Sequence, residues 1–178
     1  MSSAVLEKTA AGVEESERQV VALHLANEMY GVDIAHIHTV ITPQTLTSVP
    51  KAPAFVAGVM NLRGRILPVV DLRKRFGLPA LPEEKQNNAR VVIVDVEGLT
   101  AGLIVDAVSE VLRLPVDSID APSRLVSSVE TECITGIGRI SRQSGTGETE
   151  ERLIILLDVF KTLTMTPQDA DALHKLAA

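Results

Sequence analysis

Few residues in this chain have the types and spacing that chemistry requires, and each set can be held against the geometry it would need. Ser48 and Lys51 stand three positions apart, the helical spacing that sets an amine beside a hydroxyl for acyl transfer. Pro50 between them spoils that helical geometry, and no Ser-Asp-Asn or Lys-Thr-Gly companion is present. His36 and His38 would share one face if their stretch is strand, and an imidazole pair can begin a metal site, but no third ligand has a convincing spacing. Cys133 has no basic neighbour in sequence to activate its thiol, which favours a small core residue over a nucleophile. Gly136-Ile137-Gly138 lacks the third glycine of a dinucleotide fingerprint, and Gly145-Thr146-Gly147 lacks the Gly-Lys-Ser/Thr of a phosphate loop. Asp117 and Asp120 read as a solvated turn with no partner. No nucleophile, base and orienting group come together, so the sequence argues against an enzyme and assigns no metal and no cofactor.

What remains is a basic cluster, Arg63, Arg65, Arg73, Lys74 and Arg75, in an otherwise acidic chain. For the last three, an ordinary solvated face and a contact surface are equally good readings. Arg63 differs because it falls at a turn apex between two apolar runs, where a guanidinium can fix one surface against another. The whole chain of 178 residues carries 17 Lys and Arg against 23 Asp and Glu, a net charge of -6, which is the wrong sign for tracking phosphate backbones. Aromatics make up only 2%, so stacking platforms for bases are scarce and nucleic acid is excluded as a partner. One cysteine permits no internal disulfide, which fits a reducing cytoplasm. No apolar run approaches the ~18 to 20 residues of a membrane span, so direct membrane insertion is not expected.

The elements that must position these residues are short and aliphatic. Residues 1–18 read as a disordered acidic tail. VVALHL and MYGV form a hairpin, Asp33 caps a short turn, and HTVIT is a strand ended by Pro43. Pro53 suits the first turn of a short helix, PAFVAG. Two strands then flank Asn61-Leu62-Arg63-Gly64, where Gly64 supplies any positive φ, and LRKRFG makes a helical turn ended by Gly77. LPALPEEKQNN is the best internal boundary. Beyond it come strands in ARVVIVDVE, LTAGLIVDAV, SEVLRLP, ECITGIGRIS and RLIILLDV, the last two joined by a long hairpin loop, and Thr166-Pro167 opens a helix over 164–178. This pattern predicts an all-β fold of two small closed barrels sharing an apolar seam, the first lobe at about 19–80 and the second at about 88–160, with strand exchange between lobes allowed.

At Gly58-Val59-Met60-Asn61-Leu62-Arg63-Gly64, followed by Leu67-Pro68-Val69-Val70-Asp71-Leu72, the sequence closely resembles the CheW family of bacterial chemotaxis coupling proteins. The resemblance extends through Tyr30-Gly31-Val32-Asp33-Ile34, Gly102 to Leu112, Ile134 to Gly138 and Leu153 to Val159, covering about Gln19 to Leu163. It implies two five-stranded SH3-like barrel lobes around a common core. It also implies a non-catalytic adaptor between the cytoplasmic tip of methyl-accepting chemoreceptors and the regulatory domain of a CheA-type histidine kinase, in cytoplasmic arrays held at membrane receptors by protein contacts. By motif position, the resemblance implies a receptor-facing set of Ile37, Thr39, Val40, Gly58, Arg63 and Gly64, with Val108 and Val111 near the kinase or another partner. Thr39 departs from the acidic residue that the family commonly places there, and His36 and His38 flank the same surface. The competing readings are an adaptor of a non-flagellar chemosensory system, such as pilus-driven motility, and a metal-dependent enzyme using His36 and His38.

Overall fold

The computed structural model describes residues 16–122, 132–164 and 166–177, and these form eleven strands and three α-helices. In chain order the strands are β1 (Glu17–Leu25), β2 (Glu28–Asp33), β3 (Ile37–Ile41), β4 (Val56–Leu62), β5 (Arg65–Asp71) and β6 (Arg90–Val96). They continue as β7 (Leu99–Val105), β8 (Ala107–Pro115), β9 (Ile119–Asp120), β10 (Ile134–Gln143) and β11 (Thr149–Leu157). The helices are α1 (Leu72–Arg75), α2 (Val159–Leu163) and α3 (Pro167–Leu176). None of the described helices is long and apolar enough to cross a membrane.

Two sheets result, one ordered β8-β1-β2-β11-β10-β9 and the other β3-β6-β7-β5-β4. Within them the pairs are antiparallel except β11 with β2 and β5 with β7. Strand residues alternate between the two faces of a sheet, so a run that is apolar at every position must be buried on both. β1 shows this directly: Val21, Leu23 and Leu25 enter the largest core cluster, whereas Val20 and Ala22 enter a second with Leu114, Ile154 and Leu156. β6 does the same, giving Val92 and Val94 to the largest cluster and Val91 and Ile93 to a third with Met60, Leu67 and Val69. The largest cluster therefore lies between the sheets and is shared, while each smaller one fills the interior of a lobe. The aliphatic composition is explained by three apolar compartments, and the fold is all-β with two lobes, as expected.

The lobes are not divided at the proline-rich linker. β6 and β7 follow it, yet they complete the sheet begun by β3 to β5, while β1 and β2 pair with strands from the C-terminal half. The reason lies in β2 and the 3-10 turn Ile34–His36, after which the chain leaves one sheet for the other, and in Asp106, the single residue between β7 and β8, where it returns. The first sheet has six strands rather than five because the two-residue β9 adds to β10. Ordered pairing starts at Glu17, two residues inside the expected tail, whose first 15 residues lie outside the described set. PAFVAG is not a helix: Pro53 accepts one turn hydrogen bond from Val56 N–H at 2.9 Å, and strand begins there. The long hairpin loop is shorter than expected, since β10 and β11 pair out to Gln143 and Thr149.

Buried polar links bind the lobes. Arg73 of α1 makes a two-pronged contact with Asp106, Nε to Oδ1 at 2.7 Å and Nη2 to Oδ2 at 2.6 Å, and donates from Nη1 to the Pro79 carbonyl. Asp106 Oδ2 also accepts from Ala26 N–H at the β1–β2 turn. Burial alone would push the Asp106 carboxyl up, but these hydrogen bonds and the guanidinium charge together hold it below its usual value. The Asp106 hydrogen bond raises Arg73 against the opposing effect of burial. Arg75 stacks over the Phe55 ring at 3.9 Å, pairs with Asp169 of α3 at 3.0 Å and donates to the Thr162 carbonyl. Thus Arg73 and Arg75 are structural ties, and of the three adjacent cations only Lys74 is exposed.

Candidate functional site

The expected site residues fall into three places. Arg63 and Gly64 form the two-residue tip of the β4–β5 hairpin, with Leu62 and Arg65 as the flanking pair. Both tip residues have positive φ, 51° and 84°, the requirement of the turn whose twist matches a right-handed hairpin. Asn61 Oδ1 accepts from Gly64 N–H at 2.9 Å and fixes the turn from its stem. The Gly64 expectation of positive φ holds, and Arg63 shares it. Arg63 is exposed and has no ion pair among the described residues.

Ile37, Thr39 and Val40 lie on β3, the opposite edge strand of the same sheet. Curvature brings the two edges together: after β3 the chain runs back along β4, where Thr47 and Val59 exchange hydrogen bonds at 2.9 Å in both directions. Gly58 makes this closure possible, because a Cβ there would stand 2.6 Å from the Thr47 carbonyl oxygen. It is buried, so its place is under the closing strand and not on an open contact surface. Ile37 is half-buried against the shared core, Thr39 is half-buried, and Val40 is exposed. A bulge between Ile37 and Thr39 interrupts the alternation of β3.

That bulge separates the two histidines. His36 ends the turn Ile34–His36 and borders a cleft with Arg18, Asp33, Asp158 and Lys161. His38 borders another with Arg63, Arg65 and Thr100. They do not share a face, and among the described residues no three His, Cys, Asp or Glu side chains converge as metal ligands do. Val108 and Val111 lie on β8, the edge of the other sheet, opposite Leu23 and Val21. Val108 packs against the shared core, as Ile37 does from its own side, while Val111 is 52% exposed. The structure thus joins β3 to the Arg63 tip and leaves the β8 pair on the other lobe.

The remaining candidates for chemistry become packing features. Ser48 and Lys51 lie outside any helix, with Lys51 at φ 64°. Gly136 and Gly138 are strand residues under close contact: Cβ atoms would meet Ile119 Cγ2 at 2.7 Å and Ile154 Cγ2 at 2.9 Å. Cys133 is fully buried, and burial pushes its thiol up, away from the reactive thiolate. Asp120 has a partner after all, Arg139 at 2.7 Å, but both are more than half exposed and the pair contributes little. The Arg73–Asp106 tie escaped the sequence reading. Its only signal is an acid at the one-residue junction between two apolar strands, which spacing alone cannot match with an arginine 33 positions away.

A family model for the CheW-like domain matches residues 19–166. The chemotaxis protein CheW of Treponema pallidum is 30% identical over 84% of this chain and 84% of its own length. That of Thermotoga maritima is 33% identical over 83% of this chain and 88% of its own. Among solved structures, the scaffolding protein TtCheW of Thermoanaerobacter tengcongensis superposes with a TM-score of 0.69 at 34% identity, covering 83% of this chain and 92% of that one.

Proposed function

The chain belongs to the CheW family of chemotaxis coupling proteins, and from that premise we propose that it joins chemoreceptor tips to a CheA-type histidine kinase without turnover of its own. The observation that carries the receptor side is the hairpin tip. Arg63 projects from a turn fixed at both residues, pairs with no carboxylate among the described residues, and shares a cleft with His38 of the β3 edge, where Val40 is exposed. A backbone already fixed loses little freedom on binding, so a charged contact there is spent on affinity and orientation. We assign the receptor contact to Val40, Arg63 and Gly64, with Ile37 and Thr39 supporting the strand and Gly58 closing the lobe beneath it. Val111, exposed on the edge strand β8, and Val108 below it belong to the kinase side.

Coupling then acts through geometry. The two contact surfaces sit on different sheets that share one core and are tied by Arg73 and Asp106. A displacement at one surface is carried to the other as a change in packing, not as chemistry. Such a protein works at the cytoplasmic face of the membrane, held in receptor arrays by its partners. Arg63→Asn tests the receptor side while preserving the turn, since asparagine tolerates positive φ. We expect an unchanged melting temperature and receptor affinity weakened by about 1 to 3 kcal/mol, roughly 5- to 150-fold. Unchanged affinity for the receptor tip in a titration would remove Arg63 from the interface.

A further inference from the structure

The proline-rich linker stands over a cleft of about 600 Å³ between itself, α1 and β7. Its start is fixed by α1: Leu78 N–H donates to the Arg73 carbonyl at 2.7 Å, and Arg73 Nη1 donates to the Pro79 carbonyl at 2.7 Å. The apolar wall consists of Pro43, Leu78, Leu81, Ala89 and Ile104. Leu78 and Ile104 each pack against a core cluster on one side yet stay only half-buried, so their other side faces the cleft. The polar end is the Arg73–Asp106 tie between the lobes, with Asp71 and Lys74 beside it. A volume within roughly 300 to 1,000 Å³, mostly apolar walls, a few convergent polar groups and a place where two lobes meet are the marks of a small-molecule site.

We propose that this cleft binds an amphipathic carboxylate, a small molecule with an apolar body and one anionic head. The hydrogen-bonding groups at its polar end select the charge. Asp106 accepts from Arg73 with both oxygens and from Ala26 N–H, and Asp71 Oδ1 accepts from the N–H groups of Arg73 and Lys74. Both carboxylates are thus engaged by the chain itself. The spare capacity lies in donors, because Arg73 uses three of its five N–H groups and the exposed Lys74 makes no ion pair among the described residues. A cationic head would face both cations, whereas a carboxylate gains charge-assisted hydrogen bonds from them. Size selects the body: 600 Å³ is about twenty times the ~30 Å³ share of one water, room for a head and a chain of about eight to ten carbons. A single aliphatic side chain of a partner would fill only a fraction of it. The occupant would lie on the tie that keeps the lobes in register, but its binding does not depend on the coupling reading.

The test titrates the full-length protein by calorimetry with octanoate and with octanamide, its neutral counterpart. Octanoate is expected to bind saturably at one equivalent and to raise the melting temperature, as a ligand of the folded chain does. Octanamide is expected to bind at least about fivefold more weakly, and Lys74→Gln to weaken octanoate by a similar factor while the free variant melts as the wild type does. Ala80→Phe, at an exposed position on the cleft wall, is expected to abolish octanoate binding by filling the space. Equal affinity for the acid and the amide, or octanoate binding that survives Ala80→Phe, would overturn the proposal. So would the absence of saturable octanoate binding, and protection of the Ala89 amide from hydrogen exchange by the kinase regulatory domain would then give the cleft to the kinase instead.

Discussion

Asp106 shows how one side chain can hold two lobes in register. It accepts from Arg73 on one sheet's flanking helix and from Ala26 at the other sheet's hairpin, and both members of the ion pair are nearly buried, at 11% and 13% exposure. Because its folded carboxyl lies below the unfolded value near 3.9, ionised Asp106 adds stability above that value. This contribution is lost as pH falls through the folded value. Melting temperature should therefore fall more steeply below about pH 4 in the wild type than in Asp106→Asn, and equal slopes would remove Asp106 from the acid response. Asp106→Ala, which leaves Arg73 without its anion, is expected to cost about 3 kcal/mol in a denaturant titration. Sequence reading placed Arg63 at its turn because asparagine and glycine signal turns locally. It could not pair Arg73 with Asp106, because that contact depends on how two sheets meet.

At the scale of elements, legibility followed the reach of the signal. β4, β5 and α1 are readable from two aliphatic runs, the turn residues between them and an ending glycine, all within a few positions. PAFVAG turns into strand and does not form a helix, because Pro53 suits the first turn of a helix as well as the turn before a strand, and pairing of β4 with β5 and with Thr47 decides between them. α3 was legible from Thr166 and Pro167, and its capping box is complete, with Asp169 N–H donating to Thr166 Oγ1 at 3.1 Å and Thr166 N–H to Asp169 Oδ2 at 3.2 Å. Less visible was its anchorage: Leu173 is fully buried in the shared core, and Asp169 is held by Arg75. Leu173→Ala should lower stability by about 2 to 5 kcal/mol, as a buried leucine in a packed core does. A loss under 1 kcal/mol in the same denaturant titration would mean that α3 only rests on the surface.

Across the whole molecule, the number of lobes was legible but their membership was not. Composition and strand spacing point to closed, doubly buried sheets, while the linker invites a cut that the chain does not respect. One lobe is built from the consecutive strands β3 to β7, the other from β1 and β2 together with β8 to β11 on either side of them, and the largest core cluster takes residues from both sheets. Neither lobe can then unfold while the other keeps its core. Thermal unfolding followed by amide circular dichroism and by calorimetry should give one coincident transition, and two resolved transitions would show independent lobes.

The same unity underlies the proposal that this protein couples receptor to kinase by holding two surfaces in a fixed relation. The most direct measurement is autophosphorylation of a CheA-type kinase reconstituted with receptor-bearing membranes, with and without this protein. Kinase activity is expected to come under receptor control only when the protein is present, and Arg63→Asn to abolish the control while the variant still binds the kinase. Receptor control that persists without the protein, or is untouched by Arg63→Asn, would contradict it.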